Sequence, residues 1–404
     1  MAAEPSTPPS GNAAQQAAWL ARNAVDSLPE GALADKVACG RQLRVKLGID
    51  PTAPDIHLGF TVVLRKLREF QDLGHKVVLI VGDYTARVGD PSGRSSTRPV
   101  LEPGQIDANA QTFERQALTV LRPDPELLEV RFNGEWLDMP VEELFRLLRI
   151  ATVAQILERD DFAKRYAAHE PISVLEMLYP LLQAYDSVAV HADVELGGTD
   201  QKFNLLLGRQ VQTAYGQPGQ AILTMPLLTG TDGERKMSKS FGNYIGVTDA
   251  PDEMYGRTLS IPDASLDTWY SLLLGQTPER SAPRDAKRAL ARALVARYHS
   301  EEAAREAEEH FDRVHVRHEL PEDVAVTSWP ADGDEVHMPA LLARAFGIST
   351  SEARRGLGQG AVKLDGEPVE PGTLDLSVAA VDGRVLQFGK RRFARVQVTT
   401  PGRQ

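Results

Sequence analysis

The first part of the chain places apolar and polar residues in a pattern that predicts an α/β fold. Between residues 43 and 49 every second position is apolar, which is typical of a strand. Apolar positions then recur at helical spacing from residue 63 to residue 70, and Gly74 is well placed to end that helix. The continuous apolar run Lys76–Val81 indicates a strand buried on both faces of a parallel sheet. A strand, a helix and a second strand in this order predict a right-handed crossover.

The segments on either side extend this pattern. Residues 13–45 have the pattern of a helical lead-in, and residues 101–165 that of amphipathic helices inserted between the halves of the sheet. Residues 194–201 predict a second strand, glycine turn and helix, and Ala221–Met225 predicts a last short strand. The sheet is therefore expected to be an open, mostly parallel one of the Rossmann-like kind.

The second half of the chain predicts smaller units. Residues 252–318 are helical with mixed charge, and residues 320–334 are acidic and contain proline, as a linker does. Residues 338–355 predict two short helices, and residues 358–369 a turn-rich strand pair. The predicted segments are a disordered tail (1–12), an α/β domain with an insertion (13–246, insertion about 101–165), a helical domain (247–320), a linker (321–335) and a small α+β module (336–400).

Composition places the chain among ordinary globular proteins. Its 404 residues suffice for two or three domains, and 42% are hydrophobic and 25% charged. No apolar run is long enough to cross a bilayer, and the first twelve residues lack the basic and apolar parts of a signal peptide. The single cysteine, Cys39, cannot form an internal disulfide, which suits a reducing cytoplasm. No Cys/His cluster has the spacing of a structural zinc site, so no metal site is predicted.

The charge is unevenly distributed. The formal net charge is −11, which taken globally argues against nucleic-acid binding. Residues 383–404 nevertheless contain no acid and six basic residues, and such a local patch can bind phosphates on an acidic protein. The six are Arg384, Lys390, Arg391, Arg392, Arg395 and Arg403.

Two separated segments have the features of phosphate sites. The KMSKS sequence of residues 236–240 follows a glycine-rich turn and offers the ammonium groups of Lys236 and Lys239 on a loop. The HLGF sequence of residues 57–60 lies where the first strand leads into a helix N-terminus, a position that favours anions. Gly59 there allows close approach to the backbone. The alternative for the lysine segment is a solvated basic turn.

Three further segments predict a pocket for a small polar molecule. Residues 88–98 form a turn-rich loop after a strand, where Asp90 could hold an ammonium group and Arg94 and Arg98 could hold phosphate. On the apolar helix of residues 173–190, a phenol, an amide and a carboxylate share one face. Their alternative role is a buried polar network between helices. After Gly197 and Gly198, an aspartate could accept from ribose hydroxyls, and Gln201 could reach the bound molecule.

The pairing of HLGF with KMSKS resembles the class I aminoacyl-tRNA synthetases. The usual first motif of that family ends in a second histidine, where this chain has Phe60. Together with the helix carrying Tyr179, Gln183 and Asp186, these motifs are similar to the bacterial tyrosyl-tRNA synthetases, in the branch with KMSKS and a lysine on strand one, here Lys46. Residues 338–369 resemble the RNA-binding module named after ribosomal small-subunit protein four. The helical domain is, by the same resemblance, the one that meets the anticodon stem.

The resemblance implies a role for each matching residue. The first group would bind the triphosphate and act in catalysis: Thr52, His57, Lys236, Lys239 and Ser240. The second would bind ATP alongside them: Asp50, Gly59, Arg94, Arg98, Gly198 and Asp200. The third would bind tyrosine: Lys46, Asp90, Tyr179, Gln183, Asp186 and Gln201. The fourth would bind RNA: Arg354, Arg355, Lys390, Arg391, Arg392 and Arg395.

The implied reaction has two steps. L-Tyrosine and ATP, accompanied by Mg²⁺, give tyrosyl-adenylate and pyrophosphate, and the tyrosyl group then passes to tRNA(Tyr). The resemblance also implies a cytoplasmic homodimer whose contact lies in the insertion. The tryptophanyl-tRNA synthetases are the nearest alternative, because they share the sheet and motifs. A non-catalytic RNA-binding homologue is an alternative of another class, and Phe60 favours it.

Overall fold

A computed structural model describes residue 9 and residues 11–52, 55–91, 103–278, 282–316, 324–330, 333–389 and 392–399. The contacts divide the chain into two compact units, Met1–Ala304 and Arg305–Gln404. Among the described residues, no helix combines the length and apolar character needed to cross a membrane.

The first unit is built from helices and a six-stranded sheet. The strands are β1 (Asp26–Leu28), β2 (Arg44–Ile49), β3 (Lys76–Val81), β4 (Leu128–Phe132), β5 (Val194–Gly198) and β6 (Ala221–Met225). The helices are α1 (Ala13–Ala21), α2 (Ala32–Ala38), α3 (Leu58–Asp72), α4 (Thr85–Val88), α5 (Pro103–Ala117), α6 (Gly134–Leu137), α7 (Val141–Leu148), α8 (Val153–Leu157), α9 (Asp160–Ala167), α10 (Val174–Ala189), α11 (Lys202–Ala214), α12 (Pro251–Leu259), α13 (Leu266–Trp269) and α14 (Pro283–Tyr298), with α15 (Glu301–Phe311) at the unit boundary.

The strand order of this sheet confirms the predicted parallel α/β fold. The order is β1-β6-β5-β2-β3-β4, in which β2 to β6 are parallel and β1 pairs antiparallel with β6. From β2 the chain runs outward through β3 and β4, then returns to build β5 and β6 on the other side. The carboxyl ends of β2 and β5 therefore form a topological switch point, where open α/β sheets bind their ligands.

Two strands lie where the sequence pattern predicts helices. Strand β4 is inside the expected helical insertion and pairs in parallel with β3, and β1 is inside the expected helical lead-in. Both strands are short and neither has a fully buried residue. Their sequences therefore show little of the alternation between apolar and polar residues that indicates a strand. Pairing with a longer neighbouring strand decides their conformation.

Helix α10 carries the polar face predicted for the pocket. A capping box at Ser173 and Glu176 fixes its first turn, and the helix continues through Pro180 to Ala189. Its residues Tyr179, Gln183 and Asp186 are all buried, while the opposite face packs in an apolar cluster. The helix therefore presents its polar face to the interior of the unit.

A buried ion pair joins the two strands at the switch point. Lys46 of β2 lies directly opposite Glu195 of β5, and its Nζ donates to the Glu195 carboxylate at 2.7 Å. Lys46 also donates to the Ser187 hydroxyl at 2.9 Å and to the Gln183 carbonyl at 3.0 Å. The Lys46 side chain is 0% exposed and that of Glu195 is 1% exposed. Because an ammonium has three donors, this arrangement satisfies all of them.

The second unit has its own sheet and core. Its strands are β7 (Val326–Pro330), β8 (Glu335–His337), β9 (Val362–Leu364), β10 (Glu367–Pro368), β11 (Asp375–Ser377), β12 (Val385–Phe388) and β13 (Arg392–Thr399), and its helices are α16 (Met338–Phe346), α17 (Thr350–Gly358) and α18 (Val378–Val381). One sheet has the order β10-β9-β12-β13-β7, and β11 pairs with β8. The expected linker of residues 321–335 thus contains β7, because Trp329 packs on this core and β13 supplies a parallel partner.

Replacing Lys46 with methionine should strongly destabilise the first unit. The change leaves the Glu195 carboxylate buried without its counter-ion, which costs about 3–5 kcal/mol. Urea unfolding of Lys46→Met should show this loss, and Lys46→Met/Glu195→Gln should recover part of it. The control is Lys164→Met, whose ion pair with Asp160 is mostly exposed and should contribute under about 1 kcal/mol. Unfolding of Lys46→Met at the wild-type urea midpoint would contradict the prediction.

Candidate active site

The predicted site residues converge at the carboxyl ends of the parallel strands. Asp50 follows β2, Asp90 follows β3 through α4, and Gly198 ends β5. Helix α10 closes one side with its buried polar face. Side-chain hydrogen bonds join these elements directly, so residues far apart in sequence form one hydrogen-bonded wall.

Asp50 is held by two hydroxyl groups. The Tyr179 hydroxyl donates to Oδ2 of Asp50 at 2.9 Å, and the Thr85 hydroxyl donates to Oδ1 at 2.7 Å. Burial and the neighbouring Asp50 carboxylate raise the pKa of Tyr179 well above its ordinary value, so the phenol stays protonated. Gly82 has room only for hydrogen, because a Cβ there would lie 2.1 Å from Oδ1 of Asp50. Asp50 is thus a fixed acceptor at the end of β2.

Asp90 lies between an arginine and a glutamine. The guanidinium of Arg159 donates to Oδ1 at 3.0 Å, and the Gln201 amide donates to Oδ2 at 2.9 Å. Asn204 donates to the side-chain oxygens of both Gln201, at 2.9 Å, and Gln183, at 2.8 Å. The structure therefore connects three predicted tyrosine-binding residues through Asn204, which the sequence pattern did not single out.

Asp186 lies deepest in the wall. The indole N–H of Trp136 donates to Oδ1 at 2.8 Å, and the Asn133 amide approaches Oδ2 at 3.4 Å. Burial raises the pKa of Asp186 to about 7, although the Lys46 charge and the two donors oppose the rise. Asn133 also donates to Thr85 at 3.0 Å, which links Asp186 to the Asp50 group.

Lys46 contributes charge to this pocket. Its three N–H donors are taken by Glu195, Ser187 and the carbonyl of Gln183, one turn of α10 from Asp186. The structure therefore places its positive charge beside the pocket, where it lowers the pKa of Asp186, and directs its hydrogen bonds to the protein.

The two predicted phosphate segments meet. His57 forms a backbone bridge with Gly246, just after the KMSKS segment, and the Leu58 N–H donates to Ile245 at 2.9 Å. A Cβ on Gly59 would lie 3.0 Å from the His57 ring and 3.5 Å from the Cβ of Met237. The strand-to-helix turn and the lysine loop thus line one region, although 184 positions separate Asp55 from Lys239.

Each loop lysine is paired with a carboxylate. The ammonium of Lys236 donates to Asp200 at 2.7 Å, and that of Lys239 donates to Asp55 at 3.4 Å. Burial lowers the pKa of Lys239, and the Asp55 charge opposes this effect. Two cations thus lie beside the first turn of α3, where developing phosphate charge would be stabilised.

His57 is a buried neutral imidazole. Burial is the largest effect and the charges of Lys239 and Lys236 add to it, lowering the pKa of His57 to about 3. The Phe60 ring lies 4.6 Å from the His57 ring, centroid to centroid, and meets Phe113 edge-on. Phe60, where the family pattern has a second histidine, therefore acts as an apolar support for His57.

Asn243 braces the lysine loop and was missed by the sequence analysis. Its amide N–H₂ donates to Asp232 at 2.9 Å and to the Lys236 carbonyl at 3.2 Å, and its side-chain oxygen accepts from the Ser238 N–H at 2.9 Å. A Cβ on Gly230 would lie 2.2 Å from the Asn243 amide nitrogen, so this approach requires glycine. Only its position after the KMSKS segment could have drawn attention to it.

The remaining predicted residues are placed as follows. The Thr52 N–H donates to the Asp50 carbonyl at 2.8 Å, Ser240 lies in the 3-10 turn Lys239–Phe241, and a Cβ on Gly198 would lie 2.6 Å from Asp200. The second unit exposes four predicted RNA-binding arginines: Arg354 and Arg355 on α17, and Arg392 and Arg395 on β13. Four predicted residues lie outside the described part of the chain: Arg94, Arg98, Lys390 and Arg391. The described residues contain no group of three or more His, Cys, Asp or Glu side chains placed to hold a metal ion.

Comparisons with known proteins agree on one family. Residues 38–315 match the model of the tRNA synthetases class I (W and Y). The chain is 50% identical to a tyrosine–tRNA ligase of Moorella thermoacetica, with 95% of this chain and 96% of that protein covered. It is 48% identical to the tyrosine–tRNA ligase of Thermotoga maritima, with 95% and 97% covered.

A solved structure with the same fold has much lower sequence identity. The tyrosyl-tRNA synthetase of Archaeoglobus fulgidus, complexed with L-tyrosine, aligns with a TM-score of 0.60 at 23% identity and covers 74% of this chain and 99% of its own. This similarity concerns the fold alone, whereas the relatives near 50% identity extend over almost the whole chain. The chain therefore belongs to the class I tRNA synthetases of the tryptophan and tyrosine family, among the bacterial tyrosine–tRNA ligases.

Proposed function

We propose that this chain activates L-tyrosine with ATP and transfers the tyrosyl group to tRNA(Tyr). The observation that carries the proposal is the buried carboxylate of Asp186, which shares a hydrogen-bonded wall with Asp90. In this proposal the first carboxylate receives the phenol hydroxyl of tyrosine and the second receives its ammonium. The relatives near 50% identity, all named tyrosine–tRNA ligase, support the same substrate.

Asp186 selects the phenol by accepting its hydroxyl proton in a hydrogen bond. Phenylalanine would bury this carboxylate without a further donor, and a site built to bond a hydroxyl rejects the analogue that lacks it. Tyrosyl-tRNA synthetases are the established example of this rejection. Trp136 and Asn133 keep the carboxylate oriented while the substrate is bound.

The amino-acid end of the substrate binds at the opposite part of the wall. Asp90, Tyr179 and Gln183 receive the ammonium, and Gln201 orients the carboxylate side. The Gln201 amide donates to Asp90 at 2.9 Å. The residues proposed to bind the ammonium and the carboxylate of tyrosine are therefore fixed relative to each other. Such fixed geometry is what a displacement at phosphorus requires.

The first chemical step forms one bond and breaks one. A tyrosine carboxylate oxygen attacks the α-phosphorus of ATP, and the bond from that phosphorus to the bridging oxygen breaks, releasing pyrophosphate. The nucleophile is already an anion, so positioning and charge stabilisation carry this step. Lys236 and Lys239 exchange their carboxylate partners for the phosphates, and neutral His57 donates a hydrogen bond. Mg²⁺ bound to ATP would supply further positive charge for the phosphates.

The exposed surfaces support the proposed partners. Val141, Phe145, Val153 and Tyr166 of the insertion each expose more than half of their area, which supports a homodimer through this face. Arg354, Arg355, Arg392 and Arg395 supply cations for tRNA phosphates on the second unit. A cytoplasmic location follows from these proposed partners, because tRNA charging takes place there.

Amino-acid-dependent exchange of pyrophosphate into ATP tests the proposal. Purified full-length protein should support exchange with tyrosine and show background exchange with the other nineteen amino acids. Exchange with tryptophan instead of tyrosine would assign the chain to the tryptophanyl-tRNA synthetases. Background exchange with all twenty would mean that the chain is a non-catalytic homologue.

Replacing Lys239 with alanine should depress adenylate formation without weakening tyrosine binding. The ammonium acts on the departing pyrophosphate, and loss of one such group costs on the order of 10²-fold in kcat. Pyrophosphate exchange measures the first quantity and equilibrium dialysis of tyrosine the second. Lys164→Ala, a change at an exposed lysine, is the control and should leave both unchanged. A large loss of tyrosine affinity in Lys239→Ala would contradict the assigned role.

Replacing Asp186 with asparagine should change how stability depends on pH. The folded-state pKa of Asp186 is about 7, above its ordinary value of 3.8. Its stabilising contribution is therefore present below about pH 4 and is lost as pH rises towards 7. Asp186→Asn removes this loss, so the stability of the variant relative to wild type should rise by a few kcal/mol between pH 4 and 7. Urea unfolding across this range measures the difference, and a difference independent of pH would contradict it.

A further inference from the structure

One buried asparagine connects two glutamines of the proposed amino-acid site. Asn204 lies in the first turn of α11 and is 1% exposed. Its Nδ2 donates to Oε1 of Gln183 at 2.8 Å and to Oε1 of Gln201 at 2.9 Å. A side-chain amide has two N–H donors, so Asn204 gives both of them to these glutamines.

The direction of these hydrogen bonds follows from the carboxylate of Asp90. The Gln201 amide donates from Nε2 to Oδ2 of Asp90 at 2.9 Å. An ionised carboxylate only accepts, so the nitrogen of Gln201 faces Asp90 and its oxygen faces Asn204. That oxygen requires the nitrogen of Asn204, and the same nitrogen then meets the oxygen of Gln183. The orientations of three amides are thus set by one acid.

Asn204 keeps this orientation although its own oxygen has no partner. Among the described residues, Oδ1 of Asn204 is buried and accepts no hydrogen bond, which is costly for a buried acceptor. Turning the amide around would bring this oxygen against the oxygens of Gln183 and Gln201 and would break both hydrogen bonds. The two donors of Asn204 therefore decide how it is oriented.

The orientation decides what Gln183 offers to a ligand. The oxygens of Gln183 and Gln201 accept from one nitrogen, so the Gln183 oxygen lies on the side of the amide that contacts Asp90. An amide oxygen can accept two hydrogen bonds, and an ammonium on Asp90 would supply the second. The reverse orientation of Gln183 would present an N–H₂ group there, which cannot accept from an ammonium.

We propose that Asn204 is a positioning residue that turns the oxygen of Gln183 towards the substrate ammonium. It does not touch the substrate and acts through Gln183, whose amide it orients by donating to Oε1. Gln201 stays oriented without Asn204, because it donates directly to Asp90. This inference rests on the proposed function, since it takes the ammonium of tyrosine as the ligand of Asp90 and Gln183.

Two analogues of tyrosine isolate the contribution of the ammonium. Tyramine keeps the phenol and the ammonium, whereas 3-(4-hydroxyphenyl)propanoate keeps the phenol and lacks the ammonium. Isothermal titration calorimetry on the full-length protein gives both dissociation constants and needs no turnover. Loss of a well-directed hydrogen bond to a charged group reduces affinity by roughly tenfold. Asn204→Leu should therefore weaken tyramine by about tenfold and the propanoate by less than about twofold.

The steady-state constants give a second readout. Asn204→Leu should raise the KM for tyrosine with little change in kcat or in the KM for ATP, because the nucleotide contacts are untouched. Asn204→Ala removes both donors without placing an apolar side chain beside the glutamines, and it should show the same pattern. Equal weakening of both analogues by these variants would overturn the inference, and so would unchanged tyramine binding.

A double-mutant cycle tests whether Asn204 acts through Gln183. Gln183→Met removes the amide and keeps a side chain of similar length. In this background, Asn204→Leu should change the affinity for tyramine by less than about twofold, because no oxygen remains to be oriented. A further loss of about tenfold in the same background would overturn the inference, because Asn204 would then act by another route.

A matched control lies on the same helix. Gln212 is also 1% exposed, and its Nε2 donates to the carbonyls of Ser187 at 3.2 Å and Ala192 at 2.8 Å, which are not predicted substrate residues. Gln212→Met should lower stability in urea and leave the ratio of the two dissociation constants unchanged. A ratio that changes as in Asn204→Leu would mean that any lost bond on α11 has this effect, and would overturn the inference. Absence of tyrosine-dependent exchange in the wild type would refute the proposed function, and calorimetry would still decide the role of Asn204.

Discussion

This structure depends on one constraint, which is that ionisable groups stay buried at the switch point of its parallel sheet. Lys46 and Glu195 face each other across β2 and β5 with almost no exposure, and their pairing makes that burial tolerable. Asp50 and Asp186 are held by hydroxyl, amide and indole donors. The wall stays polar because each carboxylate has donors supplied by the protein.

The proposed nucleotide side meets a different requirement, which is to keep positive charge available for an anion without binding it too tightly. Lys236 and Lys239 rest on Asp200 and Asp55, partly exposed, so their charges are available at modest cost. His57 contributes no charge, because burial and the two lysines keep it neutral. The loop itself is fixed by Asn243 at its backbone, which leaves the lysine side chains to exchange partners.

Much of this could be predicted from the sequence, and the limits have physical causes. The continuous apolar run of β3 and the glycine turns predicted the parallel sheet. The spacing of the polar residues on α10 predicted the polar face of the pocket. Strand β4 escaped prediction because its conformation comes from pairing with β3. Asn133, Trp136, Arg159 and Asn243 escaped because a donor that supports a carboxylate has no periodic signature. The carboxylates that they support at Asp90, Asp186 and Asp232 lie between 11 and 69 positions away, and only the folded chain brings them together.

Three of the donors that the sequence did not reveal come from one segment of the chain. Asn133 and Trp136 support Asp186, and Arg159 supports Asp90, and all three follow β3 in the segment inserted before α10. Both ends of the proposed amino-acid site are therefore contacted from the insertion, whereas the proposed triphosphate contacts come from loops of the sheet. Because insertion contacts can change while the loops stay, one sheet can serve different amino acids. This separation is consistent with one family model that covers both the tryptophan and the tyrosine enzymes.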